Sequence, residues 1–412
     1  MSAPASASPE ARLSFPLLVA KLTLAHACGT MMVLAMPAIA PLAARAYGVA
    51  PALIGYQTSL VFLGVMGALL FGGNLSLRWG GVRVNQVGLG LQALGCGLTI
   101  VPHLAFLVFG SVAIGVGYGL LTPSASHVLI RFVQPHRRNV VFSLKQSGMP
   151  IGGLMAALVT PVVAVAFGWQ WALGMIGLLL LVSALLLEPG RTRWDDDRVD
   201  DVPLMPRPFG GIMIVWQRPE LRLMALGGVG LAATQTCMNA YTVVMFYEQL
   251  GYHLVAAGLV LSAAQAGGVA GRLFWGWLAD RRRDCMTVLA LLAAIMLVAC
   301  LGCLLLSPTL PLPVVCALFV VIGSTASGWN GAFLGETARL TPAGQVSAST
   351  GGALFFVNVS SVLSPILFAN LFVVTGRYNV VFALLAVPIA VSIVLLLAAR
   401  RTVRAAPRSG PA

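Results

Sequence analysis

The sequence predicts an all-α membrane protein of twelve transmembrane helices in two pseudo-symmetric six-helix bundles. Three observations carry that expectation. Hydrophobic residues make up 58% of the chain and charged residues 9%, whereas a soluble domain has roughly 25% charged residues. The apolar residues fall in runs of membrane-crossing length. Lysine and arginine are shared unequally between alternate loops.

A hydrocarbon core of about 30 Å takes about 20 apolar residues as helix. On that criterion the spans run over 14–41, 52–74, 84–101, 104–130, 140–167, 170–188, 221–247, 254–279, 286–307, 313–337, 347–374 and 379–399. The opening "MSAPASASPEARLSF" has no short apolar core with a cleavage site, so it reads as a cytoplasmic tail, 1–13, and not as a signal peptide. A first bundle covers 14–188 and a second 221–399, with a tail at 400–412. Between the bundles, 189–220 is rich in proline, aspartate and arginine and reads as a cytoplasmic linker. Its "FGGIMIVWQ" end is expected to lie along the membrane surface as an amphipathic helix.

Orientation follows from the basic residues. With the N-terminus cytoplasmic, Arg12, Arg78, Arg83, Arg131, Arg137, Arg138, the linker arginines, Arg222, Arg281 to Arg283, Arg339 and the tail arginines make 20 of the 25 Lys and Arg cytoplasmic. The opposite side holds Arg45 and Arg377. The net charge of +13 is dealt out a few residues at a time between apolar runs, which is not the clustered face that nucleic acid requires. The seven cysteines are an odd number, and Cys300 and Cys303 have no second pair or histidine beside them. They are expected to be packing residues, with no metal and no cofactor.

The halves repeat weakly. "GGNLSLRWGGVR" follows the second span and "GWLADRRRD" the eighth, an offset of 203 residues when Gly73 is matched to Gly276. "AFGWQWAL" precedes the sixth span and "VTGRYNVVFAL" the twelfth. Half-length repetition of this kind marks a parallel-repeat transporter. On these residues the chain resembles the major facilitator superfamily over essentially its whole length. Gly276, Leu278, Ala279, Asp280 and Arg281 match the family's loop motif, and Gly73, Leu75, Arg78 and Gly80 match it in the first half, where Leu77 stands at the aspartate position. "KQSGMPIGG" in the fifth span is similar to the antiporter motif of the family, with Met149 between Gly148 and Pro150. The resemblance implies rocking bundles around a central site and a gating role for Asp280 and Arg281; a solvated turn is the alternative.

Three cations lie inside predicted spans: Lys21, Lys145 and Arg272. A cation at mid-membrane costs about 2.5 to 3.5 kcal/mol even on the mild insertion scale. No carboxylate sits at the midplane to offset it; Glu336, near the inner end of the tenth span, is the nearest candidate partner for Arg272 or Lys145. An anionic substrate would supply the missing charge. Gln265 is seven residues from Arg272 and shares its helix face, and an arginine fork beside an amide suits a carboxylate. Arg272 also resembles the eighth-span arginine of the superfamily's oxalate, nitrate and monocarboxylate permeases. The oxalate exchanger's eleventh-span lysine is replaced here by Asn358.

The remaining substrate candidates are Lys21, Tyr118 with Thr122, Gln235 and Asn239 one turn apart, Trp329, Asn330 and Asn358. Each is equally readable as an interhelical contact, and Arg272 as a pairing with Glu336 or a snorkel to the surface. His26 and His127 are the midspan groups able to carry a proton. Lys145 shares a face with Gly148 and Gly152, which places it at a domain interface within reach of Glu336. The expected function is a monomeric secondary transporter of the bacterial inner membrane, with both termini cytoplasmic, moving a small anion with protons or by exchange. A proton-driven drug or metabolite exporter is the alternative. No convergent nucleophile, metal set or acid/base pair in the spans points to an enzyme.

Overall fold

Backbone groups in hydrocarbon must bond within their own segment or be satisfied where they are buried in protein. The computed structural model describes residues 9–134, 138–199, 201–202, 210–282, 284–341 and 345–405, and among them every regular element is helical. The first span is α1 (Pro9–Ala38), which starts earlier than its apolar run and bends at Ile39, just after Pro37, into α2 (Ala40–Tyr47). Then come α3 (Ile54–Trp79), α4 (Gly81–Ile100) and α5 (Leu104–Phe132). The fifth span is broken: α6 (Arg138–Gln146) and α7 (Gly148–Phe167) meet at Ser147, because Pro150 has no N–H to return to the carbonyl of Gln146. The first half ends with α8 (Trp169–Leu187).

Two linker helices follow, α9 (Arg191–Trp194) and α10 (Gly210–Gln217). The surface helix expected at "FGGIMIVWQ" is α10, with Phe209 outside the described residues; Met213 and Trp216 are exposed while Val215 is buried. The second half comprises α11 (Pro219–Val244), extended by a π-helical turn over Met245–Gln249, then α12 (Leu254–Arg282) and α13 (Cys285–Gly302). The tenth span is split into α14 (Leu312–Ala326) and α15 (Trp329–Leu340), followed by α16 (Val346–Thr375), α17 (Tyr378–Leu384) and α18 (Ala386–Ala405). Among the described residues ten helical stretches are long and apolar enough to cross a membrane. The other two crossings, α4 and α11, carry the amides Asn85, Gln86, Gln92, Gln235 and Asn239 and are largely enclosed by neighbouring helices.

The repeat is visible in packing. α1 packs on α7 and α8 as α11 packs on α16 and α18; α3 packs on α5 as α12 on α14; α4 packs on α8 as α13 on α18. Small residues make these approaches possible. A side chain begun at Gly323 would place its Cβ 1.8 Å from the Ala264 carbonyl oxygen, and one at Gly152 would sit 2.1 Å from that of Ala27. Gly152 and Gly148 therefore both face α1 within the first half.

The halves meet along α1 with α11, α3 with α16, and α7 with α12. On the face away from the linker the Tyr241 hydroxyl lies 2.6 Å from the Pro365 carbonyl and 3.3 Å from that of Ala52. Tyr56 and Asn370 bond across the same seam at 3.2 Å, and the Arg45 guanidinium stands over Tyr247. On the linker face every ion pair among the described residues stays within one half and its attached linker.

Candidate functional site

Where the two halves face each other at mid-depth they enclose a cavity of about 210 Å³. Its wall is built from α1, α3, α5 and α7 on one side and from α11, α12, the α14–α15 junction and α16 on the other. The junction matters first. At Ser327 and Gly328 the tenth span leaves regular helix, so carbonyls there are open to side chains, a feature suited to a transport site. Trp329 Nε1 donates to the Ala326 carbonyl, and Asn330 Nδ2 and Arg272 Nε both donate to that of Ser327, at 3.3 and 3.2 Å.

Arg272 thus lies on the cavity wall. Its second contact is Nη2 to the Met149 sulfur at 3.3 Å, and no carboxylate among the described residues comes within ion-pair distance. The pairing with Glu336 is not made. Glu336 is buried and is instead gripped by Arg339, three residues on, with Nε at 2.8 Å and Nη2 at 2.5 Å. One intrahelical turn satisfies it, so it faces neither Lys145 nor the cavity.

Six of the remaining predicted substrate residues share that wall with Arg272: Gln265, Tyr118, Gln235, Asn239, Trp329 and Asn330; Asn358 makes a seventh. They form a bonded amide layer. Gln265 Nε2 donates to Asn239 at 3.1 Å, Asn330 Nδ2 to Gln235 at 3.3 Å, and Gln235 Nε2 to the Ser327 hydroxyl at 3.4 Å. Asn358 Nδ2 returns to its own helix at Leu354. Lys21 lies on α1 outside the cavity wall. Thr30, Met149, Ser327, Thr236 and Ser361 line the site without having been expected. Of these, Met149 carried a signal as the residue between Gly148 and Pro150, and Ser327 one in the small-residue run "STASGWNG".

Lys145 is not at the interface between the halves. It is 2% exposed and points to α1, where its Nζ lies 2.8 Å from His26 Nδ1 and 3.2 Å from Gln146 Oε1. The His26 ring meets Tyr118 edge-on with centroids 5.6 Å apart. Thr30 donates to the His26 carbonyl at 2.9 Å, so the Tyr118 hydroxyl donates to Thr30 at 3.2 Å. Through Tyr118 and Thr30 this cluster reaches the cavity wall.

His127 is not midspan. It lies in the last turns of α5, with Nε2 2.8 Å from Asp197 of the linker. Arg131 joins it, holding Asp196 and Asp197 at 2.5 and 2.7 Å. The adjacent Asp195 accepts the backbone N–H groups of Val82 and Arg83 at 2.8 and 2.9 Å, capping α4 beside Gly80, where φ is +90° and a Cβ would collide with the carboxylate. Burial raises the Asp195 pKa against the pull of those two N–H bonds. In the second half Asp280 is exposed and makes no ion pair among the described residues, and Arg281 stands over Trp277. Asp284 takes the anchoring part there: it caps α13 through the Thr287 N–H at 3.2 Å and binds Arg400 and Arg404 at 2.8 and 3.0 Å. Cys300 and Cys303 are buried in the second half and unpaired.

A sequence model of the Major Facilitator Superfamily matches residues 22–365. An uncharacterized MFS-type transporter of Mycobacterium tuberculosis is 29% identical over 43% of this chain and 33% of its own length. Human monocarboxylate transporter 11 is 28% identical over 76% of this chain and 67% of its own. The chain therefore spans about a third to two thirds of these relatives. In fold it is similar to the crystal structure of a bacterial homolog of the human lysosomal transporter Spinster, with a TM-score of 0.76 at 15% identity, covering 96% of this chain and 98% of that one.

Proposed function

Because this chain belongs to the Major Facilitator Superfamily, we propose that it is a secondary transporter moving a small monovalent organic anion by alternating access, with Arg272 as its electrostatic anchor. The observation that carries the reading is the guanidinium on the cavity wall whose contacts are a carbonyl oxygen and a thioether. Neither neutralises it, and a buried cation without a counter-charge is costly. A carboxylate entering the cavity offsets that cost and finds N–H donors already aligned. The amide layer of Gln235, Asn239, Gln265 and Asn330 satisfies polar groups on the rest of a small solute without adding charge. One fixed cation in that layer suits one carboxylate better than two, and Asn358 stands where the oxalate exchanger resembled above has a second cation. The name of one relative, monocarboxylate transporter 11, points the same way. The arginine distribution supports a bacterial inner membrane with both termini cytoplasmic. The seam closed by Tyr241, Tyr56 and Asn370 would then face outward, and the protein would be seen closed to the outside.

The test is uptake of radiolabelled lactate, pyruvate, benzoate, succinate, nitrate and sulfate into proteoliposomes. Wild type is expected to take up at least one monocarboxylate. Arg272→Gln, reconstituted to equal density, is expected to lose at least about 30-fold in apparent affinity, the equivalent of the 2 kcal/mol or more lost when a buried charge pair is truncated. Undiminished uptake by the variant would remove Arg272 from the site.

A further inference from the structure

The cavity proposal leaves a second buried cation unexplained. Lys145 is enclosed among apolar helices, and among the described residues its polar contacts are one histidine nitrogen and one amide oxygen. The histidine it meets is 1% exposed, and its other ring nitrogen, Nε2, has no hydrogen-bond partner among the described residues. A purely structural lysine in a membrane is normally matched to an acid or to several carbonyls, and a packing histidine normally uses both nitrogens. Here two basic groups share a single proton-mediated contact, 2.8 Å long, beside the cavity.

We propose that His26 and Lys145 form a proton-binding site without a carboxylate, and that Arg272 across the cavity ties its loading to the arrival of the anion. The idea rests on the anion reading above and adds its coupling partner. In the loaded state the pair carries one extra proton: the ammonium of Lys145 donates to neutral His26 Nδ1, and the pair is positive. Unloading removes that one proton, leaving amine and imidazole both neutral. No other bond forms or breaks. Among the described residues, the titratable and charged groups around His26 are Lys145 on α6, Tyr118 on α5 and Arg272 on α12. Cys28, two residues along α1, contacts Ser183 of α8 instead. With only cations and a phenol nearby, the loaded pair and Arg272 repel each other. An anion at Arg272 cancels that repulsion and favours loading, and by linkage a loaded pair favours the anion by the same factor. Tyr118 and Thr30, which touch His26 and line the cavity, give the proton its way in. A monovalent anion and one proton would then cross together without net charge.

Solid-state NMR of the full chain in lipid bilayers, with ¹⁵N-labelled histidine, reads the site without needing the natural anion. The protein has five histidines, and His26→Gln assigns the relevant signals. In wild type without added carboxylate, the His26 resonances are expected to change between about pH 5 and 9, the range in which imidazole and its neighbours exchange protons. In Lys145→Arg the change in that range is expected to be lost, because a guanidinium does not release its proton; Lys145→Gln serves if that variant does not fold. In Arg272→Gln the transition is expected to move to higher pH. His26 signals that stay flat in wild type, or a transition identical in wild type and both Lys145 variants, would overturn the proton site. A transition unmoved by Arg272→Gln would overturn its link to the anion. The anion reading fails separately, as loss of Arg272-dependent binding while His26 still titrates.

Discussion

Arg272 is conspicuous in the sequence because, Arg222 at the very start of the seventh span aside, only three cations stand inside predicted spans. Gln265 was placed on its face by helical spacing alone, and both line the cavity. What periodicity does not reveal is which carbonyl or sulfur from another span meets the fork, so Ser327 and Met149 emerge only in three dimensions. The pairing of Lys145 with His26, 119 residues apart in sequence, is hidden for the same reason, and proximity to a helix end misdirected Lys145 toward Glu336. The part played by Glu336 is separable by substitution. Glu336→Gln breaks a pair whose partner Arg339 is 59% exposed at its side chain, and partly exposed pairs contribute about 0 to 1 kcal/mol. Its effect on melting temperature is therefore expected to be small, and anion affinity is expected to stay at the wild-type level in the uptake assay.

At the scale of the helix, span length and number follow from hydropathy, whereas interruptions depend on local chemistry. The break at Ser147 is readable from Pro150 three residues later. The one at Ser327 involves no proline and is marked only by small residues. Glycine contacts are more demanding. Gly323→Val would put a branched side chain where the Ala264 carbonyl already stands, forcing α12 and α14 apart. Overpacking typically costs about 1 to 3 kcal/mol, so this variant is expected to yield little monodisperse protein on gel filtration. Helix caps offer a gentler probe. Asp284→Ala removes the cap of α13 together with two arginine contacts, and loss of a cap alone costs about 1 kcal/mol. Despite burial, the bonds from Thr287 and the Arg400 guanidinium hold the Asp284 carboxyl below the usual carboxylate range. A depressed folded value means that its stabilisation is present above the ordinary pKa and is lost as pH falls through the lowered one. The difference in melting temperature between wild type and Asp284→Ala should accordingly be full near neutrality and close below about pH 4.

In the whole molecule, two bundles with matched packing meet around one cavity, and among the described residues the polar ties between them, apart from Arg272 with Met149 at the cavity, gather at the face away from the linker. The repeat was legible from loop motifs, but the site of inter-bundle anchoring was not. Among the described residues the loop aspartate Asp280 makes no ion pair, while Asp195 and Asp284, one from the linker and one from the loop, cap corresponding helices in the two halves. The seam gives a test of alternation. Tyr56→Cys with Asn370→Cys, which replaces a direct cross-seam bond, is expected to be crosslinked by a short bis-methanethiosulfonate and to stop uptake until reductant is added; a crosslinked protein that still transports would rule out opening at this seam. The central claim, that an unneutralised arginine selects the cargo, is tested most directly by equilibrium binding. Thermal-shift measurements on the purified protein, against monocarboxylates, dicarboxylates, inorganic anions and cationic drugs, should show stabilisation by monocarboxylates in wild type and none in Arg272→Gln. Stabilisation by cationic drugs alone, or the same monocarboxylate shift in both proteins, would contradict it.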